Sequence, residues 1–120
     1  MANKVVEYLD ALADRFPGTS VVAYADLSAG MVLVTNSACG MDRSALDQLC
    51  EQACTLLGKA PVLGDAPARR ALVGDQDGIA LFVRAQTQPD EALLCVAEGA
   101  IDVTALGREA VECLDRITNE

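Results

Sequence analysis

Two short runs, residues 21–25 (Val-Val-Ala-Tyr-Ala) and 92–97 (Ala-Leu-Leu-Cys-Val-Ala), contain no charged side chain and do not alternate between apolar and polar. Successive side chains of a strand point to opposite faces, so runs of this kind are stable only where both faces of a sheet are covered. They predict a sheet with these two strands at its centre and helices packed on both sides. A chain of 120 residues buries roughly two-thirds of the surface it exposes when unfolded. That is enough for one core, so residues 1–120 are expected to form a single domain.

The remaining segments supply the helices and the other strands. In residues 3–16, Val5, Leu9, Leu12 and Phe16 recur at the spacing of one helical face, and Pro17-Gly18 stops the pattern. Either Asp42 or Ser44 can cap a second helix whose apolar residues are Leu46, Leu49, Cys50, Ala53, Cys54, Leu56 and Leu57, with Gly58 at its end. Asp102 or Thr104 opens a third, with Leu106, Ala110, Cys113, Leu114 and Ile117 on its inner side. Residues 20–25 and 31–35 read as a hairpin with Gly30 where the turn needs a positive φ. Residues 69–73, 79–86 and 92–97 read as three more strands, separated by the turn-forming stretches 74–78 and 87–91. Connections this tight favour antiparallel neighbours. Residues 59–68, with two prolines, read as a connecting loop.

The expected class is thus α/β of the α+β type, in the order helix, two strands, helix, three strands, helix. The sheet has five antiparallel strands, with two helices on one face and one on the other. Arg69 and Arg70 open the third strand with like charges, a feature of sheet edges. Ala71, Leu72 and Val73 would leave apolar side chains and unpaired backbone groups at that edge, which a partner strand would satisfy.

Chemistry-bearing patterns are sparse. The chain has no histidine and no Gly-Lys-Ser/Thr phosphate loop, so no catalytic residue and no cofactor site is expected. Cys50 and Cys54 are one helical turn apart, and Cys39 is a conceivable third ligand. A helix splays such sulfurs, and a closed metal site would need distant cysteines to converge, so core packing is the expected role and no metal is expected. The count of five cysteines is odd, which fits reduced thiols. Cys39, in a polar loop, is the expected exposed one. Asp75, Asp77 and Gly78 echo a calcium loop but lack its other ligands, and read as a solvated turn. Arg108, Glu109, Glu112, Asp115 and Arg116 form either a solvated helix face or an acidic stripe for a basic partner.

Eighteen acidic against nine basic residues give a net charge of −9. A field of that sign repels nucleic acid and anionic membranes and steers a basic protein surface. Glu7 and Asp10 interrupt any apolar run near the start, so neither a signal-peptide core nor a membrane span is expected, and the expected location is the cytoplasm.

Several phrases together resemble the roadblock/dynein light-chain domain, including its bacterial GTPase-regulator branch. They are Leu9-Asp10-Ala11-Leu12 before Phe16-Pro17-Gly18, the hairpin at Gly30, the helix at 46–57, the turn and strand at 77–83, and the apolar run 93–97 before the last helix. The similarity covers residues 5–117. The turn Ser28-Ala29-Gly30 departs from the Asp-Gly or Gly-rich turn common there. The resemblance implies a middle helix alone on one face and dimerisation through the middle helices and third strands. Carried onto this sequence, the seam comprises Leu49, Gln52, Ala53 and Leu56 with Arg69, Arg70, Ala71, Leu72 and Val73. It also implies a non-enzymatic homodimer that binds and regulates a small Ras-like GTPase. The alternatives are a scaffold subunit of the same fold docking through its sheet edge, and a thiol or metal protein using the cysteines.

Overall fold

A computed structural model of the chain describes residues 2–58, 69–74, 77–85 and 88–119. Its elements are α1 (Ala2–Arg15), β1 (Thr19–Asp26), β2 (Met31–Thr35), α2 (Arg43–Leu57), β3 (Arg70–Gly74), β4 (Ile79–Arg84), β5 (Glu91–Ala97) and α3 (Val103–Thr118). The strands form one sheet in the order β2-β1-β5-β4-β3, and every neighbouring pair is antiparallel. The two charge-free runs therefore lie side by side at positions two and three, with β5 in the middle.

Two apolar layers follow from the strand pleat. Val22, Leu81, Val83, Leu93 and Cys95 point to the face packed by Leu9 and Leu12 of α1 and by Leu106, Ala110 and Leu114 of α3. Val21, Ala23, Ala25, Phe82 and Leu94 point to the opposite face, where Leu46, Leu49, Cys50, Ala53 and Leu57 of α2 pack. Phe82, fully buried, is the bulkiest side chain of the core. Fully burying one such aromatic or aliphatic side chain is worth about 1.5–3 kcal/mol, so the twin layers are the main source of cohesion.

Local choices follow the sequence closely. Asp42 and Asp102, rather than Ser44 and Thr104, cap α2 and α3, their carboxylates accepting from the Ala45 and Ala105 amides at 2.8 and 3.1 Å. Each satisfies a first-turn N–H that has no partner within its helix. Gly30 has φ 67° at the end of a turn organised by Asp26. That carboxylate accepts from the Ser28 amide and hydroxyl and from the Ala29 amide. These bonds, the Ser28 hydroxyl first, hold the Asp26 carboxyl below the usual carboxylate range.

The boundaries differ in detail from expectation. β3 runs one residue later than 69–73, although the Arg69 carbonyl still accepts from the Arg84 amide at 2.8 Å. β4 ends at Arg84, and the expected strand end at Gln86 lies outside the described residues, as do the expected loop at 59–68 and Asp75.

Among the described residues, Asn36 is the buried polar side chain. Its Oδ1 accepts from the Val22 amide, and its own amide donates to the Val22 carbonyl, both at 2.9 Å. The side chain thus takes the place of a backbone carbonyl where β2 leaves the sheet. The next residue, Ser37, donates from its amide and hydroxyl to Asp10 of α1, each at 2.7 Å. Replacing Asn36 by Ala strands the buried Val22 amide, and the expected loss is about 1–3 kcal/mol of unfolding free energy. Urea unfolding followed by circular dichroism measures it, and an unchanged midpoint with an unchanged slope would contradict this role.

Candidate interaction surface

The sheet has two edges, β2 and β3, and they differ in kind. On β2 the register slips where Tyr24 opposes Val34 and Ala25 opposes Val32, so Leu33 is an extra residue without a partner. A bulge of this sort bends an edge and disfavours addition of another strand. β3 pairs with β4 without interruption, from Arg70 opposite Val83 to Gly74 opposite Ile79. Because the Arg84 amide bonds the Arg69 carbonyl, alternation turns the backbone groups of Arg69, Ala71 and Val73 inward to β4. Those of Arg70, Leu72 and Gly74 turn outward. The β3 edge is therefore regular, and its outward N–H and C=O groups lie in a row.

The side chains there are apolar and uncovered. Leu72 is 54% exposed and Val73 37%. Val73 and Ala71 project to the α2 face, while Leu72 and Arg70 project to the opposite one, where an added Cβ on Gly107 of α3 would lie 3.2 Å from Arg70 Nη1. The small, buried Gly107 lets the Arg70 guanidinium lie against the helix. On the α2 side a shallow groove separates helix from edge strand, lined by Gln48, Glu51, Gln52, Thr55, Leu56 and Val73. A second groove shares Gln52 and Val73 and passes over Ala80 and Val96 to a rim with Asp77 and Glu98. Among the described residues, no lysine or arginine lines either groove.

The expected seam residues divide into two groups. Leu49 and Ala53 face the sheet and are buried within the protomer, so their side chains belong to the core. Gln52 is exposed, Leu56 is 40% exposed, and both face the groove. Arg69, Arg70, Leu72 and Val73 are exposed along the edge and Ala71 is half-buried. Gln48, Glu51 and Thr55 complete the groove and were not expected. They share the outward stripe of Gln52 and Leu56 at three- and four-residue spacings, so helical phase carried the signal. A second exposed apolar pair, Met31 and Leu33, lies on the bulged β2 edge.

All five cysteines are free thiols. Burial, with Cys54 adding to it, pushes Cys50 up to about 11. Burial and the nearby Cys113 push Cys95 up to about 12. Cys113 rises to about 11 through burial, with Arg116 opposing. Such thiols are protonated at neutral pH and are poor nucleophiles. Cys39, expected to be exposed, is half-buried against the α2-side layer, and the Cys54 thiol donates to the Leu27 carbonyl at 3.6 Å. Among the described residues, no three or more cysteine or carboxylate side chains converge as a metal site would require. No helix of the described residues is long and apolar enough to cross a membrane.

No protein-family model matches the chain, and no curated protein matches it by sequence. Solved structures do match. A Roadblock/LC7 domain from Streptomyces avermitilis superposes with a TM-score of 0.78 at 19% identity, over 94% of this chain and 93% of that one. MglB from Myxococcus xanthus gives 0.76 at 14%, over 97% and 93%. The gliding protein MglB from Thermus thermophilus gives 0.75 at 19%, over 98% and 90%. At these identities the likeness is one of architecture, and the antiparallel sheet between paired terminal helices and a middle helix identifies this chain as having the roadblock fold.

Proposed function

We propose that the protein is a non-enzymatic, homodimeric interaction module of the cytoplasm that binds and regulates a small Ras-like GTPase. The observation that carries this reading is the β3 edge, a regular row of outward backbone groups with exposed Leu72 and Val73 beside the groove that holds Leu56. A second copy supplies both missing partners at once, hydrogen bonds for the strand and apolar cover for the side chains. Each of these side chains is already about half covered, so completing its burial contributes roughly 1 kcal/mol, and the backbone bonds add to that.

The GTPase follows from the resemblance to roadblock domains, whose members bind such proteins, and from a fold shared with MglB. The net charge of −9 and grooves without cationic side chains suit a basic face on that partner. The chain has no histidine, and Cys50, Cys95 and Cys113 are held protonated and so are poor nucleophiles. Its effect on hydrolysis would come from reorienting the GTPase's own groups. The second reading, a structural subunit of a larger assembly, draws support from Met31 and Leu33, which pairing through β3 leaves uncovered.

Light scattering during gel filtration should give twice the 12.6 kDa protomer mass, and Leu56→Asp should raise the dissociation constant by at least about tenfold. A monomeric wild type would contradict the dimer. Calorimetry against a GTPase encoded beside this chain should give binding that differs between GDP and a non-hydrolysable GTP analogue. Equal binding in both states would favour the structural subunit, and no binding in either would remove the GTPase reading. Ellman's reagent at neutral pH should leave Cys50, Cys95 and Cys113 unmodified in the folded protein and titrate all five thiols after denaturation. Rapid native modification of all five would return the thiol reading to consideration.

A further inference from the structure

A single residue of β4 ties the end of α2 to the start of β3. The Arg84 amide donates to the Arg69 carbonyl, and the Arg84 guanidinium donates from Nη2 to the Gly58 carbonyl, both at 2.8 Å. Gly58 is the residue at which α2 ends, and Arg69 immediately precedes β3. These are the two elements that line the groove at Leu56 and Val73. Arg84 projects to the α2 side of the sheet, as Phe82 does two residues earlier. It touches neither groove itself, so any effect it has on that surface passes through the helix end it holds.

Apolar packing alone does not fix where α2 ends. Leu57 is buried, but burial of that kind is non-directional. An open cavity of about 370 Å³, lined by Leu27, Cys54, Gly58 and Arg84 among others, lies beside the last turn, so the turn has room to shift. Gly58 leaves the helix at φ 58° and ψ 177°, and the last turn carries no basic side chain. The guanidinium therefore supplies a donor to the terminal carbonyl and a positive charge at the negative end of the helix. It does so at a local cost, because its Nε is buried without a hydrogen-bond partner, an arrangement that is destabilising. The side chain thus adds less to the stability of the protomer than its bond to Gly58 suggests, and its main effect is on geometry.

We propose that Arg84 is the positioning residue of the interaction surface: by holding Gly58 and Arg69 from one point on β4, it sets the Leu56 end of α2 against β3 and so shapes the groove that a partner must fit. This inference rests on the dimer reading above. Removal of the guanidinium leaves both elements folded but lets the last turn of α2 settle toward the cavity, which moves Leu56 relative to Val73.

Two variants separate positioning from plain stability. Arg84→Met keeps the apolar stem and removes the Gly58 bond together with the unpartnered Nε, whereas Arg84→Lys keeps a charged donor. Sedimentation equilibrium should show the dimer dissociation constant raised at least about tenfold by Arg84→Met and held within about threefold of wild type by Arg84→Lys. Protomer stability is read by urea unfolding in the Leu56→Asp background, where dimerisation is weakened and contributes less to the midpoint. There Arg84→Met should leave the midpoint unchanged, because loss of a bond and loss of an unpaired buried donor offset each other. Wild-type affinity in Arg84→Met, or Arg84→Lys as weak as Arg84→Met, overturns the proposal. So does an Arg84→Met chain that unfolds at lower urea or fails to fold, since that marks a residue needed for the protomer itself. A wild type that is monomeric in light scattering removes the dimer reading, whereas a dimeric wild type that tolerates Arg84→Met removes only the role of Arg84.

Discussion

Burial of β5 and β1 between two helical layers is the constraint from which the rest of this structure follows. Five strands spaced about 4.8 Å apart make a sheet roughly 20–24 Å wide, while one helix with its side chains is about 10–12 Å across. Two helices, α1 and α3, suffice for one face. On the other face, among the described residues, α2 alone packs on the sheet, and it leaves a strip beside β3. The half-buried Ala80 and Val96 and the exposed Val73 lie along that strip. The grooves between α2 and β3 are thus a geometric consequence of placing a single helix on a five-stranded face. The proposed interaction surface is where the coverage runs out.

The two edges show how that incompleteness is kept specific. A row of open backbone groups beside exposed apolar side chains is a liability, because any extended chain can add to it. On β2 the unpaired Leu33 breaks the register. On β3 no slip occurs, and Arg69 and Arg70 at one end with Asp77 beyond the other give the edge opposite charges at its two ends. A net charge of −9 also resists indiscriminate self-association, so a productive contact must use local complementarity against an unfavourable background.

Much of this was legible in the sequence because it depends on periodicity. Charge-free strands named the sheet centre, paired arginines named the edge, and each cap was narrowed to two residues, Asp42 or Ser44 and Asp102 or Thr104. What was not legible depends on phase and on neighbours distant in sequence. Leu49 and Ala53 share the apolar stripe with Leu56, but only the angle at which α2 lies on the sheet decides that the first two turn inward and the last outward. The slip at Leu33 needs the opposing strand to be seen. Asn36 looks like any loop residue until its side chain meets the Val22 amide. Cys39 sits in a polar segment, yet its amide donates to the Asn36 carbonyl at 3.2 Å and its side chain packs half-buried against the α2 layer. The fold persists among structures that share 14–19% of their residues with this chain, as expected where pattern rather than identity specifies the core.

The central claim is that the outward amides of β3 are completed by a second copy. Amide hydrogen exchange measured residue by residue over a range of protein concentrations addresses it directly. The account predicts that Arg70, Leu72 and Gly74 exchange more slowly as concentration rises, while the amide of Leu33 on the bulged edge does not respond. Fast, concentration-independent exchange at those three positions, or protection that instead builds up along β2, would contradict it.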